Sequence, residues 1–247
     1  MTIEPEEALP TEGLVCVVGA GGKKTTLYTL ANSLDRAVVT ATVRIPIFDD
    51  HVARVGVTGD PVDAPAEAKA GDFPLGLVPE RERDDRYLGY DTAVVDDLAA
   101  AHDGPVLVKA DGARMRELKA PSDREPQIPA SADAVVPIAS AHVVGEPLTD
   151  EHVHRPERVA AVAGIDEGEA ITAGTVGRVL ASPAGGLKDV PPGAETVALV
   201  NKVDDADDEA VAREVARAAF DADDAGRLDR VVLAALGEGR VVDVLDA

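Results

Sequence analysis

The order of apolar segments constrains this chain more than any other feature. The run "LVCVV" (14–18) is short, apolar and unbroken. It is followed at once by "GAGGKKTT" (19–26), and then Leu27, Leu30, Ala31 and Leu34 recur at helical spacing, so that Thr25 to Leu34 reads as a helix. The alternation continues along the sequence. "AVVTATV" (37–43) is rich in β-branched residues and reads as a strand. "YDTAVVDDLAAAH" (90–102) reads as a helix capped by Asp91 or Thr92. "PVLVKA" (105–110), "DAVVPIA" (133–139), "ETVALV" (195–200) and "DRVVLAAL" (229–236) read as strands, 229–236 being the last clear one. Residues 157–181 are helical in pattern with glycine breaks, and 206–220 form a helix with Val211, Val215 and Ala219 aligned. Pro46, Pro61, Pro65, Pro74 and Pro79 break residues 44–85 into loops with short strands. Continuous apolar strands between helices predict an α/β fold, a mostly parallel sheet covered by helices on both faces. Residues 13–247 are expected to form one such domain, preceded by an acidic tail or loosely packed edge at 1–12.

Charge narrows the partners. The chain carries 46 acidic against 24 basic residues, a net charge of -22. Such a surface repels nucleic acid and anionic membranes, so neither is expected as a partner. The acid is spread along the chain, as in a surface adapted to high salt, where counterions screen self-repulsion. A disordered acidic protein is excluded, because apolar residues make up 45% and recur periodically. Cys16, the single cysteine, sits inside an apolar strand and reads as a buried small hydrophobe in a reducing cytoplasm. No apolar run approaches the ~20 residues that span a bilayer. The opening "MTIEPEEALPTEG" lacks signal-peptide features, and a cytoplasmic location is expected, in a halophile.

In a parallel sheet ligands sit at the carboxyl ends of the strands, and three motifs fall there. Gly19, Ala20, Gly21 and Gly22 follow the first strand and open the first helix, where backbone N–H groups can approach phosphate oxygens and the helix end favours negative charge. The segment departs from G-x-x-x-x-G-K-[ST]. With Lys23 as phosphate lysine, Lys24 takes the place of the metal hydroxyl. With Lys24, Thr25 is placed for Mg²⁺. A lysine cannot ligate a cation, which favours Lys24 with Thr25, leaving Lys23 and Thr26 as further phosphate contacts. Asp111 in "LVKADGA" (107–113) ends an apolar strand and is a candidate for Mg²⁺, although Asp-Gly is also a common turn. "NKVD" (201–204) offers Asn201, Lys202 and Asp204 for a guanine base, or a strand-ending turn. His142, His152 and His154 invite a zinc reading, but no fourth ligand is evident, and Arg155 and Arg158 beside them suit an anion better.

Together "VVGAGGKKTTLY", "VVTATVRI", "VLVKADGARMRELKAPSDREPQIP", "GEPLTDEHVHRPE" and "GGLKDVPPGAETVALVNKVD" resemble the selenium cofactor biosynthesis protein YqeC family, also described as selenium-dependent hydroxylase accessory proteins. The resemblance runs from about Gly13 to the C-terminal strand. It implies a P-loop NTPase fold of the ATPase and GTPase class that assists metal-centre assembly, and a role in maturing molybdenum hydroxylases. Two departures stand out. The family's typical "EADGA" reads Lys109-Ala110-Asp111-Gly112-Ala113 here, and its "TTTT" reads Thr40-Ala41-Thr42-Val43. Lys109 removes an acidic group beside the metal, while Thr40 and Thr42 still offer hydroxyls to phosphate, metal or water. The expected function is an Mg²⁺-dependent, slow NTPase binding GTP or ATP, serving a molybdenum hydroxylase or its cofactor-assembly proteins. The alternatives are a small-molecule kinase or nucleotidyl transferase whose substrate is gripped by Lys119, His154 and Arg155, and a non-hydrolysing, nucleotide-bound scaffold.

The acid excess makes a prediction independent of any site. Lowering KCl from molar to millimolar lengthens the Debye length from ~3 Å at 1 M to ~30 Å at 0.01 M, so the melting temperature is expected to fall across a KCl series followed by circular dichroism. An unchanged melting point would defeat the high-salt reading.

Overall fold

The computed structural model describes residues 3–247. Its main sheet has nine strands: β1 (Leu14–Gly19), β2 (Val38–Ala41), β3 (Arg54–Val57), β4 (Leu75–Val78), β5 (Val106–Lys109), β6 (Ala134–Ser140), β7 (Glu195–Asn201), β8 (Arg230–Ala235) and β9 (Arg240–Asp246). Across the sheet they run β9–β8–β7–β6–β1–β5–β2–β4–β3. All neighbours are parallel except β8 and β9. The principal helices are α1 (Lys23–Ser33), α2 (Thr92–Ala101), α3 (Pro156–Ala163), α4 (Ala173–Ala181) and α5 (Ala206–Ala222).

The central strands are buried on both faces, which is why they read as unbroken apolar runs. Leu27, Leu30 and Ala31 of α1 pack on Val15, Val17 and Val39. Val95 and Leu98 of α2 cover Cys16, Val18 and Val108 on the opposite face. On that same side α4 and α5 bury Val176, Val179, Val215 and Ala219 against Ala198, Val200, Val231 and Leu233. The α/β reading, with a mostly parallel sheet flanked by helices, therefore holds. Among the described residues no helix is long and apolar enough to cross a membrane.

The topology fixes where chemistry can gather. β1 lies between β5 and β6; the chain leaves it through α1 for β2, on the far side of β5. The register sets Gly19 beside Ile138, Val17 beside Lys109 and Ser140 beside Asn201. The carboxyl ends of β1, β5, β6 and β7 thus share one rim of the sheet, and the order in which the chain adds strands changes side at β1.

Several local readings change. The last strand foreseen at 229–236 is followed by β9, which turns back antiparallel across a register shift at Leu233/Ala234. Residues 157–181 split into α3, closed by Gly164 in the left-handed region, and α4, whose N-cap Thr172 accepts from the Thr175 N–H. The acidic segment read as a tail or loose edge is packed: it forms a helical turn, Pro5–Ala8, and buries Ala8 and Leu9. Arg230 Nε donates to Ala8 O at 3.1 Å. Exposed Glu4 and Glu7 dominate its composition while the apolar residues face the core. Residues 1 and 2 of that segment lie outside the described residues.

Leu9→Ala should consequently lower unfolding free energy by about 2–3 kcal/mol, the cost of a truncated buried leucine, measured by urea denaturation. No change would return the segment to a free tail.

Candidate functional site

The loop after β1 is shaped by crowding. Gly19, Gly21 and Gly22 have φ of 91°, 90° and 137°, a region side chains disfavour. A Cβ on Gly19 would strike Ile138 O, one on Gly21 would lie 2.6 Å from Ser140 N, and one on Gly22 would strike Asn201 Nδ2. The glycines let the loop press against β6 and β7. The Gly19 N–H donates to Asp111 Oδ2 at 2.8 Å, Ala20 N–H to Ile138 O at 2.9 Å and Gly21 N–H to Arg116 O at 3.0 Å. These three amides are therefore committed. The amides of the first turn of α1 have no intrahelical acceptor, and its N-cap, Gly22, brings no side chain to cap them.

The lysine that turns into the loop is Lys23, and not Lys24 as the spacing suggested. Lys23 is buried, donates to Gly19 O, and stands 2.8 Å from Asp111 Oδ1. Lys24 is half-exposed. Asp111 is buried at the end of β5, and Lys119 Nζ reaches its Oδ2 at 2.9 Å. The same ammonium donates to Gly112 O at 2.6 Å and Glu125 Oε2 at 3.0 Å, so all three of its donors are used. Glu125 in turn receives Gly112 N–H at 3.1 Å and the Arg155 guanidinium at 2.8 Å. Lys109 is buried and donates to Asp111 O at 2.7 Å and Arg44 O at 2.9 Å.

Protonation follows from this crowding. Burial pulls the Lys23 ammonium below its ordinary range; Asp111 opposes that and Lys119 adds to it. Burial and then Lys23 bring Lys109 down to about 7. Burial would raise the Asp111 carboxyl, but Lys23 and Lys119 overcome it and hold it low. His154, opposite Lys119 in a two-residue parallel pairing, is lowered to about 4 by burial, then Arg155 and Lys119.

The remaining predicted residues sort by what they touch. The Asn201 side chain braces the loop, giving Nδ2–H to Gly21 O at 2.9 Å and accepting Leu236 N–H at 3.1 Å. Lys202 reaches Glu117 Oε1 at 2.6 Å. Asp204 is exposed, with His142 Nε2 3.2 Å away. Thr40 and Thr42 already donate their hydroxyls to Leu77 O at 2.7 Å and Gln127 O at 2.6 Å, so neither offers a free proton to substrate. Thr26 returns its hydroxyl to Gly22 O at 3.2 Å, and Thr25 is half-buried. The Mg²⁺ expected at Thr25 and Asp111 does not fit this arrangement, because each Asp111 oxygen already faces an ammonium group. His142, His152 and His154 do not converge: His152 faces Glu146, while His142 meets Asp204 and Asp208 in a partly exposed group with ligand atoms within 4.8 Å of one another.

A family model described as YqeC protein matches residues 15–157. The chain belongs to the YqeC family. It is also 28% identical over 194 residues to a protein of Escherichia coli (strain K12) described as "Uncharacterized protein YqeC", covering 76% of this chain and 75% of that relative. The YqeC match encloses Lys23, Asp111, Lys119, Glu125 and Arg155, while Asn201 and Asp204 lie beyond it.

Glu125 and Glu117 were missed as site residues. Glu125 stands in the run 119–129 that carried the family resemblance, and Lys119 six residues before it was the available signal. Nothing near Glu117 in sequence announces Lys202.

His154 supplies a pH test. Its folded value of about 4 lies below the ~6.5 of a free imidazole, so the unfolded chain takes up the proton first. Its contribution is complete above pH ~6.5 and is lost as pH falls toward 4. NMR titration of the native protein, with His154→Gln for assignment, should show that low midpoint. A midpoint near 6.5 would refute the buried, cation-flanked setting.

Proposed function

We propose that this chain binds a nucleoside triphosphate at the loop Gly19–Thr26 and serves as an accessory factor in maturing the selenium- or molybdenum-containing cofactor of a molybdenum hydroxylase, with slow hydrolysis of the nucleotide. The observation that carries the binding part is the Lys23 ammonium, buried and turned into a glycine loop at the first strand's carboxyl end, beside an uncapped helix N-terminus. An anion there meets a fixed positive charge and amides that have no other acceptor. Asn201 ties the loop to the segment after β7. That segment presents Asp204, whose carboxylate can accept both N–H groups of a guanine edge, so GTP is the favoured nucleotide over ATP. The client enzyme rests on membership of the YqeC family and on the resemblance that accompanies it. Lys119 spends all its donors inside the protein, which leaves the accessory-factor reading ahead of a kinase that grips its substrate with that residue.

Calorimetric titration of native, Lys23→Ala and Lys24→Ala protein with GTP and ATP tests the assignment. Lys23→Ala should lose at least tenfold in affinity, about 1.4 kcal/mol, and Lys24→Ala less. Larger loss in Lys24→Ala would restore the register inferred from spacing. No binding by the native protein would end the nucleotide reading.

A further inference from the structure

We infer, resting on the nucleotide reading above, that the chain neutralises the bound phosphates with its own lysines, Lys23, Lys24 and Lys109, and needs no magnesium ion at Asp111. Magnesium requires several oxygen ligands in near-octahedral array at ~2.0–2.1 Å. The two carboxylates that face Lys119, Asp111 and Glu125, both stand against cations and N–H groups. Asp111 gives Oδ1 to Lys23 at 2.8 Å and Oδ2 to Lys119 at 2.9 Å and the Gly19 N–H at 2.8 Å. Glu125 gives Oε1 to the Gly112 N–H at 3.1 Å and Oε2 to Lys119 at 3.0 Å and Arg155 at 2.8 Å. The hydroxyl that would follow the loop lysine is absent, since Lys24 occupies that place. Thr25, next in line, is half-buried and falls two places after Lys23 rather than one, and Thr26 is bonded back to Gly22 O at 3.2 Å.

The third lysine is Lys109. It sits buried in β5, on the strand beside the phosphate loop. Its ammonium uses two of three donors on the Asp111 and Arg44 carbonyls, at 2.7 and 2.9 Å. Lys23, Lys109 and Lys119 thus all lie within hydrogen-bond distance of one aspartate. With Arg155, four cationic groups confront two carboxylates, in a chain whose overall charge is -22. A dication placed here would meet the Lys23 and Lys119 ammonium groups, 2.8 and 2.9 Å from Asp111, at close range. What the cluster lacks is an anion, and a triphosphate supplies one.

The test is calorimetric titration of the full chain with GTP and ATP, in magnesium and in EDTA at matched ionic strength. The inference expects dissociation constants within about threefold of each other in the two buffers. A loss of tenfold or more in EDTA would overturn it and leave the nucleotide reading standing, because Lys23 would then have swung to the phosphates and released Asp111 to a metal. No binding in either buffer would overturn both. Lys109→Glu, which puts a carboxylate in place of the ammonium, should bind at least tenfold more weakly in EDTA and recover part of that loss in magnesium. Wild-type affinity in EDTA would remove Lys109 from the proposal. Should Lys109→Glu fail to fold, half-exposed Lys24→Thr makes the same comparison: weaker binding in EDTA, recovered by magnesium, supports a lysine in place of the metal, and unaltered binding refutes it for Lys24.

Discussion

Asp111 is buried, so its charge depends on partners that the chain itself supplies. The carboxylate lies within the rim where β1 and β5 end, and it binds the first glycine of the loop, the first lysine of α1 and a lysine fixed by the segment after β5. Removing one partner from such a buried set leaves an uncompensated charge, a penalty of about 3–5 kcal/mol. The loop, α1 and the 112–125 segment are therefore interdependent. Glu125 extends the chain of charge to Arg155, at the N-cap of α3, in a left-handed conformation unusual for an arginine.

The sheet makes this possible by placing unlike elements at one edge. Parallel register brings Gly19, Lys109, Ser140 and Asn201 to neighbouring strand ends, though they are far apart in sequence. The glycines then close the remaining distance, because any side chain there would collide with β6 or with Asn201. The result is a buried cluster of Lys23, Lys109 and Lys119 around Asp111 inside a strongly acidic molecule. Net charge alone points to repulsion of anions; the local field at this rim points the other way.

Much of this architecture was legible in sequence. β1, β2, β5, β6, β7 and β8 and the helices α1, α2 and α5 announce themselves through unbroken apolar runs and helical spacing, whereas β3 and β4 fall in the proline-broken stretch 44–85 that reads only as loops with short strands. β9 does not announce itself: its half-buried residues, RVVDVLD, follow no strict alternation, and it forms a strand only by pairing with β8. The N-terminal turn fails for a related reason. Its acids face water, and composition counts them equally with the two residues that matter, Ala8 and Leu9.

The site divides in the same way. Sequence by itself determined the family, the glycine loop, the pair of lysines, and the strand-end positions of Asp111 and Asn201, because these depend on residue type and spacing within short segments. Tertiary structure alone decided which lysine enters the loop. Successive residues at the start of a helix point about 100° apart, so one ammonium turns inward to Asp111 while its neighbour faces partly outward. It also decided that Lys119, Glu125 and Arg155 spend their charges on one another and on Asp111, and that Asn201 braces the loop. Those are contacts across strands and loops distant in sequence, and no local pattern encodes the distance between two side chains that only the folded sheet brings together.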